Sequence, residues 1–339
     1  MFVDRFAALG EEHSLLLKDG IVWASGRNYD GQLGDGTTTN RWAFTKVVYE
    51  REAVAIAAGG YHSMVLMKDG SVWSTGYNKC GQLGDGTETR RKSSFAQVVE
   101  KDAVAISAGY DHSMVLKRDG SVWSAGYNET GQFGDGTETN KSNFTKVIAK
   151  GAVAIAAGRV HSMLLKKDGS VWSTGYNDFG QLGDGTKTSK SSFVKVIENE
   201  AVAISASGGH SMVLKKDGSV WVTGDNEDGQ LGAGRKRGRM NFIQLIEKEA
   251  TSIAAGNKHS MVLKEDGSVW ATGSNGSGRL GGLWRTRYRT SYAKITDTRE
   301  LLHPNRLTAF LLSIPFSTLA AVVVAVVVMM FVMGDSGKS

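Results

Sequence analysis

An all-β fold, a β-propeller of about six four-stranded blades, is predicted by three observations. A His-Ser pair recurs at His13, His62, His112, His161, His210 and His259, at separations of 49 or 50 residues, and a period near fifty marks a repeat architecture. Each copy continues through Asp-Gly to a tryptophan (Trp23, Trp73, Trp123, Trp172, Trp221, Trp270) and then to Gly-x-Asn-x-x-Gly-x-Leu/Phe-Gly. No helical period intervenes, and short antiparallel strands repeated in this way close radially, leaving only short protected edges.

The fourth copy shows the elements in order. Ala152 to Ala157 is a short apolar run ending at Gly158, too short for a helix, and reads as a buried strand. Ser162 to Lys166 forms a second strand. Asp168-Gly169 between two such runs signals a tight hairpin of the primed type, because Asp tolerates and Gly favours positive φ. Ser170 to Thr174 then forms the third strand, antiparallel to the second. A glycine-punctuated loop covers 175–185, and Phe193 to Ile197 supplies the fourth strand.

Six such units occupy residues 1–297. A basic linker, 298–306, follows with Arg299 and Arg306, and then 307–333, 27 residues without a charge. A bilayer core of about 30 Å takes about 20 helical residues, so this stretch is expected to be a transmembrane helix. The polar tail 334–339 is short. This geometry describes a tail anchor in an intracellular membrane, with the blades facing the cytosol. No apolar leader is visible in Met1 to Gly10, and the single cysteine, Cys80, permits no intramolecular disulfide.

The net charge of +6 is uneven, since residues 234–306 hold 14 Lys/Arg against 6 Asp/Glu. Two clusters, Arg235-Lys236-Arg237 with Arg239 and Arg285, Arg287 with Arg289, replace the Gly-Thr-x-Thr region of earlier copies. Equivalent loops of adjacent blades are neighbours, so the seven charges form one patch suited to an anionic membrane surface, or less well to nucleic-acid phosphates.

Other motifs have structural readings. Six identical His-Ser pairs at strand heads suit hydrogen bonding within each blade better than a metal ring or a nucleophile with its base. The six tryptophans read as core facing the neighbouring blade, with indole N–H groups bonded in the sheet. The glycine loops lack the following helix that a phosphate cradle needs. No catalytic set, metal site or cofactor is expected. The sharpest variation among copies lies in the two positions before each histidine, which supply rim candidates for a protein partner: Glu11, Glu12, Tyr61, Tyr110, Asp111, Arg159, Asn257 and Lys258.

The string Ala-Gly-x-x-His-Ser-x-x-Leu-x-x-Asp-Gly-x-Val-Trp-x-x-Gly-x-Asn-x-x-Gly-Gln-Leu-Gly-x-Gly, ending at Gly185 in the fourth copy and seen in the other five, with single-residue departures in some of them, resembles the regulator of chromosome condensation repeat family. The resemblance implies a propeller of typically seven blades, whereas six copies are present, which leaves a seventh, incomplete blade open. Two departures bear on packing. Thr75, Ala125 and Thr174 stand where a second tryptophan is often found, and Phe44, Phe95, Phe144, Phe193 and Phe242 replace an expected proline. In the relative that exchanges nucleotide on the small GTPase Ran, the loop before the histidine faces the GTPase and acidic residues beside the histidine take part. Asp111, Glu11 and Glu12 match such positions. The spacing leaves no room for an inserted wedge, so a non-catalytic interaction scaffold is the expected function, with nucleotide exchange on a small GTPase and chromatin or nucleic-acid binding as alternatives. The positions before the histidines carry no tryptophan, which argues against the light sensing of another relative.

Overall fold

The computed structural model describes residues 7–48, 52–276, 280 and 287–297. They form six four-stranded antiparallel sheets, each in sequential strand order. Blade 1 comprises β1 (Ala7–Leu9), β2 (His13–Lys18), β3 (Ile21–Gly26) and β4 (Arg41–Val48). Blade 2 comprises β5 (Ala53–Ala58), β6 (His62–Met67), β7 (Val72–Tyr77) and β8 (Arg91–Val99). Blade 3 holds β9 (Ala103–Ala108), β10 (His112–Lys117), β11 (Val122–Gly126) and β12 (Lys141–Ile148), and blade 4 holds β13 (Ala152–Ala157), β14 (His161–Lys166), β15 (Val171–Gly175) and β16 (Lys190–Ile197). Blade 5 follows with β17 (Ala201–Ser207), β18 (His210–Lys215), β19 (Val220–Gly224) and β20 (Arg239–Ile246), and blade 6 with β21 (Ala250–Ala255), β22 (His259–Lys264), β23 (Ser268–Ser274) and β24 (Tyr288–Asp297). Blades 1 to 4 form one compact unit; blades 5 and 6, with Phe179–Thr186, belong to a second.

The strand expected at Phe193 to Ile197 begins three residues earlier, at Lys190. The Asp-Gly turn also departs from expectation. Blade 1 has the primed form, with positive φ at both Asp19 and Gly20 and Lys18 opposite Ile21. In blades 2 to 5 only the glycine (Gly70, Gly120, Gly169, Gly218) is left-handed, and its N–H donates to the carbonyl three residues back at 2.9–3.0 Å. The residue after the glycine explains the change. Ser71, Ser121, Ser170 and Ser219 each donate a backbone N–H to the aspartate two positions earlier at 2.8–2.9 Å, a local turn that lengthens the hairpin by one bulged residue. Ile21 occupies that position in blade 1 and continues the ladder.

The second strand β6 is buried along its whole length rather than on alternate residues, and β10, β14 and β18 are buried over their first five residues, because a blade packs on both faces. Leu15, Leu17, Val22 and Leu33 of blade 1 meet Ala53, Ile56, Val65 and Met67 of blade 2. Corresponding clusters join blades 2 and 3, 3 and 4, and 5 and 6. The tryptophans are not full core. Trp73 packs against the cluster between blades 1 and 2, yet all six are only half-buried. Their indole N–H donates to the serine hydroxyl two residues earlier in blades 2 to 6 at 2.8–3.2 Å, rather than into the sheet. Lysine ammonium groups cover the outer ring faces, Lys117 and Lys146 over Trp123 and Lys166 over Trp172 at 3.8 Å.

The histidines correct a second expectation. His13 Nε2 lies 2.9 Å from Ser63 Oγ, His62 2.9 Å from Ser113 Oγ and His112 3.0 Å from Ser162 Oγ, and His210 2.8 Å from Ser260 Oγ. The bond therefore joins blade 1 to 2, 2 to 3, 3 to 4 and 5 to 6 instead of lying within one blade. Alternate residues of a strand face opposite sides, so adjacent His and Ser serve two different interfaces. The glycine loops interlock with the following blade too. A Cβ at Gly34 would sit 2.3 Å from the Phe95 ring and one at Gly84 equally close to Phe144, so Phe95 and Phe144, which depart from the expected proline, fill space that only glycine leaves.

The linker 298–306, the apolar stretch 307–333, the tail 334–339 and Arg285 lie outside the described residues. Among the described residues no helix is long and apolar enough to cross a membrane.

Candidate partner-binding face

The residues before each histidine lie between the first and second strands of a blade, and in blades 1 to 4 they are tied to one another through the backbone. Glu11 N–H donates to Gly60 O at 3.3 Å, Gly60 N–H to Tyr110 O at 3.1 Å and Tyr110 N–H to Arg159 O at 3.1 Å. A second layer comes from the residue after each third-strand glycine. Arg27 N–H donates to Glu12 O, Tyr77 to Tyr61 O, Tyr127 to Asp111 O and Tyr176 to Val160 O, all at 2.8–3.0 Å. These loops are therefore held at fixed positions.

The side chains on this frame form a continuous series. The Arg27 guanidinium pairs with Glu12 and lies over the rings of Tyr29 and Tyr61, 5.4 and 5.1 Å from their centroids. Tyr61 meets Tyr110 edge to face at 5.7 Å. Arg159, itself exposed, lies 4.8 Å over the Tyr110 ring. Burial, then the neighbouring Tyr61 side chain, pushes the Tyr110 phenol up to about 12, so it remains a neutral donor. With Tyr29, Tyr77, Tyr127 and Tyr176 beside them, six of the nine tyrosines gather here.

Asp111 is the charged centre of the series. Burial pushes its carboxyl up to about 6, against the opposing effects of Arg159 and of a hydrogen bond from Gln82. Gln82 Nε2 donates to Asp111 Oδ1 at 2.8 Å, while its Oε1 accepts the Cys80 N–H at 3.1 Å. The equivalent Gln32 and Gln132 also spend Oε1 on a backbone N–H, but their buried Nε2 atoms have no partner. Asp111 thus answers a donor that the repeat presents elsewhere without an acceptor. Cys80 lies nearby with its thiol pushed up to about 11, first by burial and then by Asp111, and is protonated.

The histidines behind this face are unavailable for chemistry. Ser63 Oγ gives its proton to Gln32 O at 2.7 Å and Ser113 Oγ to Gln82 O at 2.6 Å, so the imidazole must donate from Nε2. Burial holds His13 and His112 at about 4 and His62 and His161 at about 3. Among the described residues no group of three or more His, Cys, Asp or Glu is arranged to hold a metal ion.

Of the rim candidates, Glu12, Tyr61, Tyr110, Asp111 and Arg159 come together, and Glu11 joins them through its backbone. Asn257 and Lys258 belong to the second unit, where both are exposed and Lys258 pairs with Asp228 at 3.0 Å. Arg27, Tyr29, Tyr77, Tyr127, Tyr176 and Gln82 were not anticipated. The signal for four of them was the variable residue inside Gly-x-Asn, read as part of a turn. The basic residues also lie in the second unit. Arg235, Lys236, Arg237 and Arg287 are exposed and Arg239 and Arg289 are half-buried, and the blade 5 loop borders the start of β24, with Gly234 N–H donating to Thr290 O at 2.7 Å.

Two models of the regulator of chromosome condensation (RCC1) repeat match the chain. One covers residues 19–66, 69–116, 119–165, 168–214 and 217–263, more than half of the sequence, and the other five segments between residues 53 and 279. No curated protein matches the sequence. Among solved structures, human WBSCR16 is 23% identical, with a TM-score of 0.76 over 86% of this chain and 81% of that one. Yeast RCC1 (Prp20), solved bound to Kap60, is 23% identical with a TM-score of 0.76 over 86% of this chain and 75% of its own. Prp20p from Saccharomyces cerevisiae, solved in a study of its binding to Gsp1p and histones, is 24% identical with a TM-score of 0.75 over 86% and 77%. These likenesses show the fold, a β-propeller.

Proposed function

Because the chain belongs to the regulator of chromosome condensation repeat family, we propose that it is a non-catalytic protein-interaction scaffold whose partner docks on the Arg27, Tyr61, Tyr110 and Arg159 face with Asp111 at its centre. The observation that carries this is the series itself. Tyrosine and arginine are the residues that concentrate binding energy at protein interfaces, because they offer large, rigid, amphipathic area. Here they are fixed by backbone bonds, so little ordering cost opposes association. A partner supplying a cation or a hydrogen-bond donor meets Asp111. We place the scaffold at an intracellular membrane, blades towards the cytosol, on the strength of the uncharged stretch 307–333.

The test compares affinity capture by the full chain with capture by the Tyr110→Ala/Arg159→Ala variant, after both are shown to unfold at the same denaturant concentration. The proposal requires a defined set of partners lost from the variant alone; identical sets would refute it.

A second reading is exchange on a small GTPase. It is favoured by Asp111, an acidic residue directly before a histidine, and by the fold shared with Prp20p, whose binding to Gsp1p was studied. Nucleotide release from a panel of small GTPases, with the full chain and with Asp111→Asn, separates this reading from a passive scaffold.

A further inference from the structure

Blades 1 and 2 neutralise their glycine-rich loops internally. Asp35 lies 2.6 Å from Arg41 and Asp85 2.5 Å from Lys92, both carboxylates being 5% exposed. Each cation stands at the start of the outermost strand, opposite a glycine near the end of the third, Gly26 with Arg41 and Gly76 with Lys92. The same aspartates accept hydrogen bonds from Thr37 and Thr87.

Blade 5 keeps the frame and removes the anion. Arg239 occupies the cation position, opposite Gly224, but the aspartate is Ala233 and the Thr-x-Thr that follows in earlier copies is Arg235-Lys236-Arg237. The backbone is held as before, with Ala233 bridged to Ser291 and Asn226 Nδ2 donating to the carbonyls of Arg235 and, at 3.2 Å, Arg237. The Lys236 ammonium lies 3.2 Å from the ring centroid of Tyr288. Among the described residues no carboxylate lies within ion-pairing distance of Arg235, Lys236, Arg237, Arg239 or Arg287. A rigid loop that discards its own counter-ion and adds three cations is built for an external one.

We propose that this loop, with Arg287 and Tyr288, docks on the phosphate-bearing surface of an anionic bilayer. Two features favour lipid over a nucleic-acid backbone. Met240 and Tyr288 stand beside the cations 43% and 44% exposed, and an apolar side chain with an amphipathic ring suits the headgroup boundary. The described chain ends at Asp297, only nine residues before the uncharged stretch 307–333, and nine extended residues reach about 30 Å, roughly the length of β24. The linker can therefore return the chain to the level of the patch. In this respect the inference rests on the membrane location proposed above.

The experiment is amide hydrogen exchange on the full chain bound to phosphatidylcholine vesicles with and without phosphatidylserine. Retention on phosphatidylcholine alone reports the apolar stretch, whereas the patch is read from the phosphatidylserine-dependent difference, so the two readings fail separately. Exchange across 234–240 and 287–290 is expected to slow by about tenfold when phosphatidylserine is present, consistent with the contribution of each basic residue near an anionic surface, and to recover in high salt. Ala233→Asp, which restores the blade 1 arrangement without removing a cation, should abolish most of that slowing, as should Arg235→Gln/Arg237→Gln. Equal exchange on both vesicles would overturn the proposal. Protection by duplex DNA or single-stranded RNA but not by phosphatidylserine would overturn it in favour of a nucleic-acid surface.

Discussion

His62 Nε2 lies 2.9 Å from the hydroxyl of Ser113 on the following blade, and that hydroxyl hands its single proton to the carbonyl of Gln82, 2.6 Å away. The relay fixes the imidazole tautomer and ties three segments of two blades together. His62→Ala strips the buried hydroxyl of its donor and opens a cavity over Gly59, whose Cα sits so close beneath the ring that a Cβ there would lie 2.2 Å from it. Loss of about 2–4 kcal/mol is expected, read as a lower urea midpoint.

The same burial makes stability depend on pH. His13, His62, His112 and His161 are held at about 3–4 in the folded chain, below the unfolded value of about 6.5. Between these values the unfolded chain binds the extra protons. Stability is therefore intact above about pH 6.5 and falls as the pH drops towards the folded values, by about 1.4 kcal/mol per pH unit for each histidine. Asp111 contributes one proton of opposite sign as it protonates near 6. Denaturation at pH 7 and pH 5 should show the loss, and His62→Ala should reduce the slope by one histidine's share.

Asp111 costs stability for the sake of its position. Its folded value of about 6 lies above the unfolded carboxylate value of about 3.9, so its effect is unfavourable above pH 6 and disappears below pH 4. Asp111→Asn retains the acceptor for Gln82 and removes the buried charge. We expect a gain of about 1–3 kcal/mol at pH 7 together with weaker partner capture. A variant that is more stable and still binds fully would remove Asp111 from the face.

Ala125 marks a missing bond. In blades 2, 4, 5 and 6 the equivalent threonine donates to the first glycine carbonyl of the loop before it, Thr75 to Gly31 at 2.9 Å and Thr174 to Gly131 at 2.8 Å. Ala125 is fully buried and has no hydroxyl to offer Gly81. Ala125→Thr should restore the contact and raise stability by about 0.5–1.5 kcal/mol, measured by thermal or urea unfolding.

Strands and hairpins were legible because their signals are local. Short apolar runs mark the strands and Asp-Gly pairs the hairpins, with only the form of the turn left to the residue that follows, and the glycines of Gly-Gln-Leu-Gly mark positive φ whatever surrounds them. The His-Ser pair was misassigned to one blade because sequence adjacency suggests shared partners, whereas the strand pleat sends His62 towards Ser113 and Ser63 back towards Gln32. The tryptophans looked like core because hydrophobicity does not reveal that Lys117 or Lys166 covers the outer face. At the candidate face, variation before each histidine was visible, but its joining to Arg27, Tyr77 and Tyr127 depends on bonds between loops about fifteen residues apart. The replacement of Asp by Ala233 was equally present in the sequence, yet its meaning required the ion pairs of blades 1 and 2.

The most direct measurement of the proposed function is photo-crosslinking in cells of the full chain with a benzoyl-phenylalanine placed either at Tyr61, on the arginine-tyrosine face, or at Trp42, which is 86% exposed on the outermost strand of blade 1. Discrete crosslinked partners are expected at Tyr61, abolished by Arg159→Ala, and none in common at Trp42. The same adducts at both positions, or adducts at Trp42 alone, would contradict it.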